Sequence, residues 1–190
     1  MTRVIDSKSS DAAAVACEVL AAGGLVVIPT DTVYGIAARI DRPDAIRRLF
    51  DVKTRMEVKP VAVLAANLEQ AMACATFNDT AVDMAREWPG PLTLVLTRDP
   101  DLAGIELGGD PASIGIRVPD HELVREILLV SGPVAASSAN RAGSVTPTTC
   151  GEIAALFGDA VNLYIDGGKI DGSPSRVVSL IDEMKILRDQ

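Results

Sequence analysis

Short runs of aliphatic and β-branched residues alternate along this chain with longer segments of helical period. Glycines, prolines or polar clusters end most of the runs, and this alternation constrains the fold more than any other feature. "LVVIP" (25–29), "YGIAARI" (34–40), "VAVLAA" (61–66), "LTLVLT" (92–97), "SIGIRVP" (113–119), "PVAAS" (133–137), "VNLYID" (161–166) and "RVVSLI" (176–181) read as strands. "MKILR" (184–188) is a candidate last strand. Helices fit at 9–22, from Pro43 to 52, from Asn67, from Asp79, at 120–130 and at 148–157. The expected fold is α/β: a twisted, mixed, largely parallel sheet flanked by helices, in a single domain over residues 1–190. Residues 102–113 are expected to form a mobile surface loop.

Apolar residues make up 48% of the chain and aromatics 3%, so its core must be built from Val, Ile, Leu and Ala. The net charge of −8 and the scarcity of aromatics argue against a protein that grips long nucleic acid by charge and stacking. Residues 41–59 are an exception. They carry six cations and four anions, net +2, which leaves −10 elsewhere. A cationic island in an acidic chain is better matched to a small polyanion. Cys17, Cys74 and Cys150 lie far apart and read as buried thiols in a reducing compartment. Neither a signal peptide nor a membrane span is recognisable, and a soluble cytoplasmic protein is expected.

Four segments could carry chemistry. "PTDTVYG" (29–35) is either a strand-end turn or the lip of a site, with Thr30 and Thr32 facing a cleft. "KTRMEVKP" (53–60) is either a solvated loop or a phosphate clamp built from Lys53, Arg55 and Lys59. In "SIGIRVP", Ile114 and Ile116 point to one face, and Ser113, Gly115 and Arg117 to the other. Arg117 there implies a buried carboxylate or phosphate partner, or a side chain snorkelling at an edge. "AASSANRAGSVTPTT" (135–149) is either a capped turn or a cradle for an anion. His121, the only histidine, reads as a surface or capping residue. No metal-ligand set and no Ser-His-Asp triad is evident. A cleft of hydroxyls and cations suits phosphoryl or nucleotidyl transfer achieved by positioning and charge stabilisation.

Taken in order, "PTDTVYG", "KTR", "KP", "WPGPLT", "IGIRVPDH", "SSAN", "TPT", "DGG", "S-x-VV" and "ILR" resemble the YrdC/Sua5 family of threonylcarbamoyl-AMP synthases, in its short form. The resemblance implies a concave cationic groove. It also implies conversion of ATP, L-threonine and bicarbonate (as CO2) to threonylcarbamoyl-AMP and pyrophosphate, the first step of tRNA t6A37 modification. Mg2+ would be carried by the ATP phosphates, with no metal bound by the protein itself. Transient partners would be tRNA and the t6A transfer proteins, and the chain would act as a monomer or homodimer away from membranes. By matching position, Thr32, Arg117, Ala136 and Ser175 would hold threonine. Lys53 and Arg55 would be catalytic, acting with Lys59 on the phosphates. Ser113, Ser138, Thr146 and Arg188 would contact the nucleotide, while Thr30, Tyr34 and Asn140 shape the site. The alternatives are an RNA-gripping module of the same fold and a paralogue with related carbamoyl-adenylate chemistry.

Overall fold

The computed structural model describes residues 3–53 and 60–189. Its strands are β1 (Val4–Asp6), β2 (Val26–Ile28), β3 (Gly35–Arg39), β4 (Ala62–Leu64), β5 (Ala75–Thr76), β6 (Leu92–Arg98), β7 (Ser113–Arg117), β8 (Val134–Ser138), β9 (Leu163–Asp166), β10 (Arg176–Ser179) and β11 (Lys185–Arg188). The helices are α1 (Ala12–Ala21), α2 (Pro43–Val52), α3 (Leu68–Met72), α4 (Asp79–Met84), α5 (Glu122–Ser131) and α6 (Cys150–Phe157). One sheet runs β1-β9-β2-β3-β8-β4-β7-β6-β10-β11, and β5 pairs with β6.

The mixed sheet and its flanking helices are as expected, but the expected dominance of parallel pairs is not. Among the described residues four pairings are parallel and six antiparallel. The connections explain this. Five or six residues between β2 and β3, or between β10 and β11, leave room only for a hairpin return. β1 and β5 were not foreseen. They are three and two residues long, and β1 is half-exposed, so neither leaves an apolar run to read.

Helix starts follow local chemistry. Pro43 occupies the first turn of α2. Asn67 and Asn78 cap α3 and α4 by accepting from the backbone of Gln70 and Ala81, each at 2.8 Å. Thr149 and Glu152 close a capping box on α6. Among the described residues, no helix is long and apolar enough to cross a membrane.

Alternation along the strands sorts side chains into two packed layers. Leu92, Leu94, Leu96, Ile114 and Ile116 join the core on one face, with residues of α2, α4 and α6. Val26, Ile28, Leu64 and Ala136 join the other, under α1 and α5. At ~25 cal/mol per Å² each such leucine or isoleucine contributes about 2 kcal/mol on burial. Cys74 and Cys150 are buried, and burial pushes both thiols up to about 11. Cys17 departs from the expectation and is only partly buried, beside α5, where its Sγ donates to Ile127 O at 3.7 Å. The 102–113 segment also departs from a free surface loop. Leu107 is buried, and its carbonyl accepts from Val61 N at 2.9 Å.

Candidate functional site

A groove of about 410 Å³ lies on the α1/α5 face of the sheet, where Leu64 and Ala136 belong both to that core and to its wall. The alternation expected of "SIGIRVP" holds in the packing: Ile114 and Ile116 are buried in the opposite core, while Gly115 and Arg117 line the groove, which Ile114 also borders. Thr30, Thr32, Ser113 and Arg117 converge on it with Ala136, Ser138, Ser175 and Arg188, so eight of the anticipated residues share one wall. Three arginines line the groove, and no carboxylate does, among the described residues.

The "PTDT" stretch forms this wall because its turn is internally fixed. Thr30 Oγ1 donates to Val33 O at 2.6 Å and accepts from the backbone N–H groups of Thr32 and Val33, both at 3.2 Å. The 167–172 segment packs directly against it. A Cβ on Gly167 would sit 2.6 Å from Pro29 Cβ, and one on Gly172 would sit 2.4 Å from Thr32 O, so only glycine fits either position. Tyr34 is buried outside the groove wall and clasps the same segment. Its hydroxyl donates to Gly168 O at 2.7 Å and accepts from Gly167 N at 2.9 Å, while burial pushes the phenol up to about 12.

Arg117 is 6% exposed and held on three sides. Its Nε donates to Gly90 O at 3.0 Å, Nη1 to Thr32 Oγ1 at 2.8 Å, and Nη2 to the Asp31 carboxylate. Burial lowers its pKa and Asp31 works against that shift. Of the partners considered for Arg117, the structure supplies a carboxylate, that of Asp31, an exposed residue whose side chain is 15% exposed. Beside it, Ser175 Oγ lies 2.8 Å from Thr93 Oγ1, and Arg188 donates to Ser175 O at 2.8 Å and to Ser175 Oγ at 3.1 Å.

Lys53 stands away from the lining. Its 3%-exposed side chain donates to the carbonyls of Ser138 and Asn140 and to Asn140 Oδ1 at 3.0 Å. Ser138 Oγ donates to the same Oδ1 at 2.5 Å, so Asn140 and Lys53 together set the course of this loop. Thr146 is partly exposed and does not line the groove. Arg55 and Lys59 lie outside the described residues.

Thr93, Arg98 and Asp31 escaped sequence reading. Thr93 had a signal, since in "LTLVLT" it stands on the face opposite three buried leucines. Arg98 had none. It ends β6, donates to Ser113 O at 3.1 Å and Ile105 O at 2.7 Å, and has no ion-pair partner among the described residues. Gly90, in the "WPGP" turn, supplies a carbonyl to Arg117. His121 occupies the N-cap position of α5 without making a capping bond, and its buried Nδ1 has no partner among the described residues.

The sequence pattern of the Sua5/YciO/YrdC family, described as telomere recombination, matches residues 18–190. The chain is 34% identical over 169 residues to a threonylcarbamoyl-AMP synthase of Pyrococcus abyssi, covering 87% of this chain and 49% of that protein. A threonylcarbamoyl-AMP synthase of Chromohalobacter salexigens is 34% identical over 163 residues, covering 84% of this chain and 87% of that one. The chain thus spans about half the Pyrococcus protein and most of the Chromohalobacter one. The crystal structure of P. abyssi Sua5 complexed with L-threonine matches with a TM-score of 0.82 at 29% identity, over 95% of this chain and 54% of that one. This chain belongs to the Sua5/YciO/YrdC family.

Proposed function

We propose that this chain is an L-threonylcarbamoyladenylate synthase. It would convert ATP, L-threonine and bicarbonate (as CO2) to threonylcarbamoyl-AMP and pyrophosphate, the first step of t6A37 formation on tRNA. The observation that carries the reading is Arg117, a buried fork bonded to the hydroxyl of Thr32, in a groove that also holds Ser175 and two arginines with no carboxylate ion-pair partner among the described residues. An amino acid and a polyanion could lie side by side there.

In this reading Arg117 takes the carboxylate of threonine, and Thr32, Ser175 and the backbone of Ala136 complete its pocket. The amine adds to CO2 and loses a proton, giving a carbamate. A carbamate oxygen then attacks the α-phosphorus, and the bond to pyrophosphate breaks. Residues of this chain act by holding the reactants in line and by balancing charge on the leaving group. Ser113, Ser138 and Arg188 face the nucleotide, and Lys53 fixes the loop that presents Ser138. Arg55, Lys59 and Thr146 are proposed phosphate and nucleotide contacts on the resemblance alone. The groove wall offers hydroxyls and guanidinium groups and no described cage of His, Cys, Asp or Glu, which fits a Mg2+ held by the ATP phosphates. The transfer proteins and tRNA are proposed as transient partners, and the chain as a cytoplasmic monomer or homodimer built as a single domain.

The test is pyrophosphate release from ATP, Mg2+ and bicarbonate, with and without L-threonine. Threonine-dependent release is expected. Release without threonine, or none from folded protein, would remove the synthase reading.

A further inference from the structure

Asp31 is the one carboxylate hydrogen-bonded to a residue of the groove wall, among the described residues. Its side chain is 15% exposed and pairs with a guanidinium that is 7% exposed, so little solvent screens the pair. The turn that carries Asp31 is fixed on both sides by Thr30 and by the close approach of Gly172 to Thr32. Arg98 and Arg188 share the groove with Arg117, but their partners are carbonyls and a hydroxyl, which leave their charge standing.

We infer that Asp31 is a specificity-determining residue: by neutralising Arg117 it lets this part of the groove accept a zwitterionic amino acid and keeps phosphate groups off it. This rests on the proposed reading. A bare guanidinium attracts phosphate at least as strongly as it attracts carboxylate. Three bare arginines in one groove would hold a triphosphate in more than one register, and threonine would compete with ATP for Arg117. With Asp31 in place, an arriving anion meets a pair of zero net charge. L-Threonine, itself net neutral, still finds the unused donors of the fork. Asp31 therefore acts through Arg117, as a positioning residue.

The experiment measures L-threonine binding by calorimetry with and without inorganic phosphate. In the wild-type protein phosphate should leave threonine affinity unchanged. In Asp31→Asn, which keeps shape and removes charge, phosphate should become a competitor that weakens threonine by about tenfold. Asp31→Glu should restore the wild-type pattern, and direct titration with inorganic phosphate should show binding in Asp31→Asn that is lost when Arg117→Ala is added. A general loss of stability cannot create a new competitor. Phosphate competition already present in the wild type would overturn the inference, and so would an Asp31→Asn variant that stays blind to phosphate. Should Asp31→Asn fail to fold, Asp31→Ser takes its place with the same expected competition, and its indifference to phosphate would equally overturn the inference. If the wild-type protein binds no threonine at all, the synthase reading falls first, and direct phosphate titration of the wild-type and Asp31→Asn proteins still tests whether Asp31 guards Arg117.

Discussion

Arg117 and Arg98 are two buried arginines of one groove, joined to it from opposite ends of β7, roughly 13 Å apart along the strand. Arg117 is bonded to a carboxylate, a hydroxyl and a carbonyl. Arg98 is bonded to two carbonyls, and Glu106 and Asp110 act on it only through space, beyond ion-pair distance. One charge is paired with a carboxylate inside the fold, whereas the other meets carboxylates only through space. The same residue type thus serves two purposes, and the difference lies in what the surrounding loops bring to it.

Removing Arg117 should break this contrast most severely. Arg117→Ala is expected to lower kcat/KM for threonine by roughly a hundredfold or more, while ATP affinity moves by less than about threefold. Steady-state kinetics with each substrate varied in turn checks this, and an equal loss for both substrates would contradict it. Next comes Lys53→Met. The loop carbonyls that Lys53 serves would lose a buried donor, at a cost of about 1–3 kcal/mol. Turnover and unfolding midpoint should therefore fall together, and a fully stable but inactive variant would instead mark Lys53 as a direct phosphate ligand. Arg98→Gln should weaken ATP by about tenfold and adenosine hardly at all. Equal weakening of the two ligands would make Arg98 a structural staple for the 99–112 loop.

The smallest effect concerns His121. Burial holds its imidazole below the ordinary pKa; Arg125 assists, and Asp31 and Asp120 oppose. The unfolded chain therefore takes up this proton more readily, and stability is lost as pH falls below about 6.5. His121→Gln should flatten the fall of Tm between about pH 7 and pH 5. Identical slopes in the two proteins would show that His121 does not contribute.

Much of the groove was legible because period-two alternation is a local property. "SIGIRVP" assigned Arg117 to the face opposite Ile114 and Ile116 without any tertiary information, and the strand obeys it. The caps at Asn67 and Thr149 are equally local. Arg98 was not legible, because nothing in "LTLVLTRDP" says that its side chain will reach Ser113 O and Ile105 O across a loop. Lys53 was read as part of either a solvated loop or a phosphate clamp, and nothing local in "KTRMEVKP" says that it will reach the carbonyls of Ser138 and Asn140.

By itself, then, the sequence determined most of the elements, the faces of "SIGIRVP", and the set of hydroxyls and cations available to a site. The order of strands and the balance of parallel and antiparallel pairs were decided by tertiary structure, because pairing joins residues far apart in the chain that carry no local mark of one another. The same holds for the pairing of Asp31 with Arg117, 86 residues away, which a charge at one end of so long a separation cannot announce.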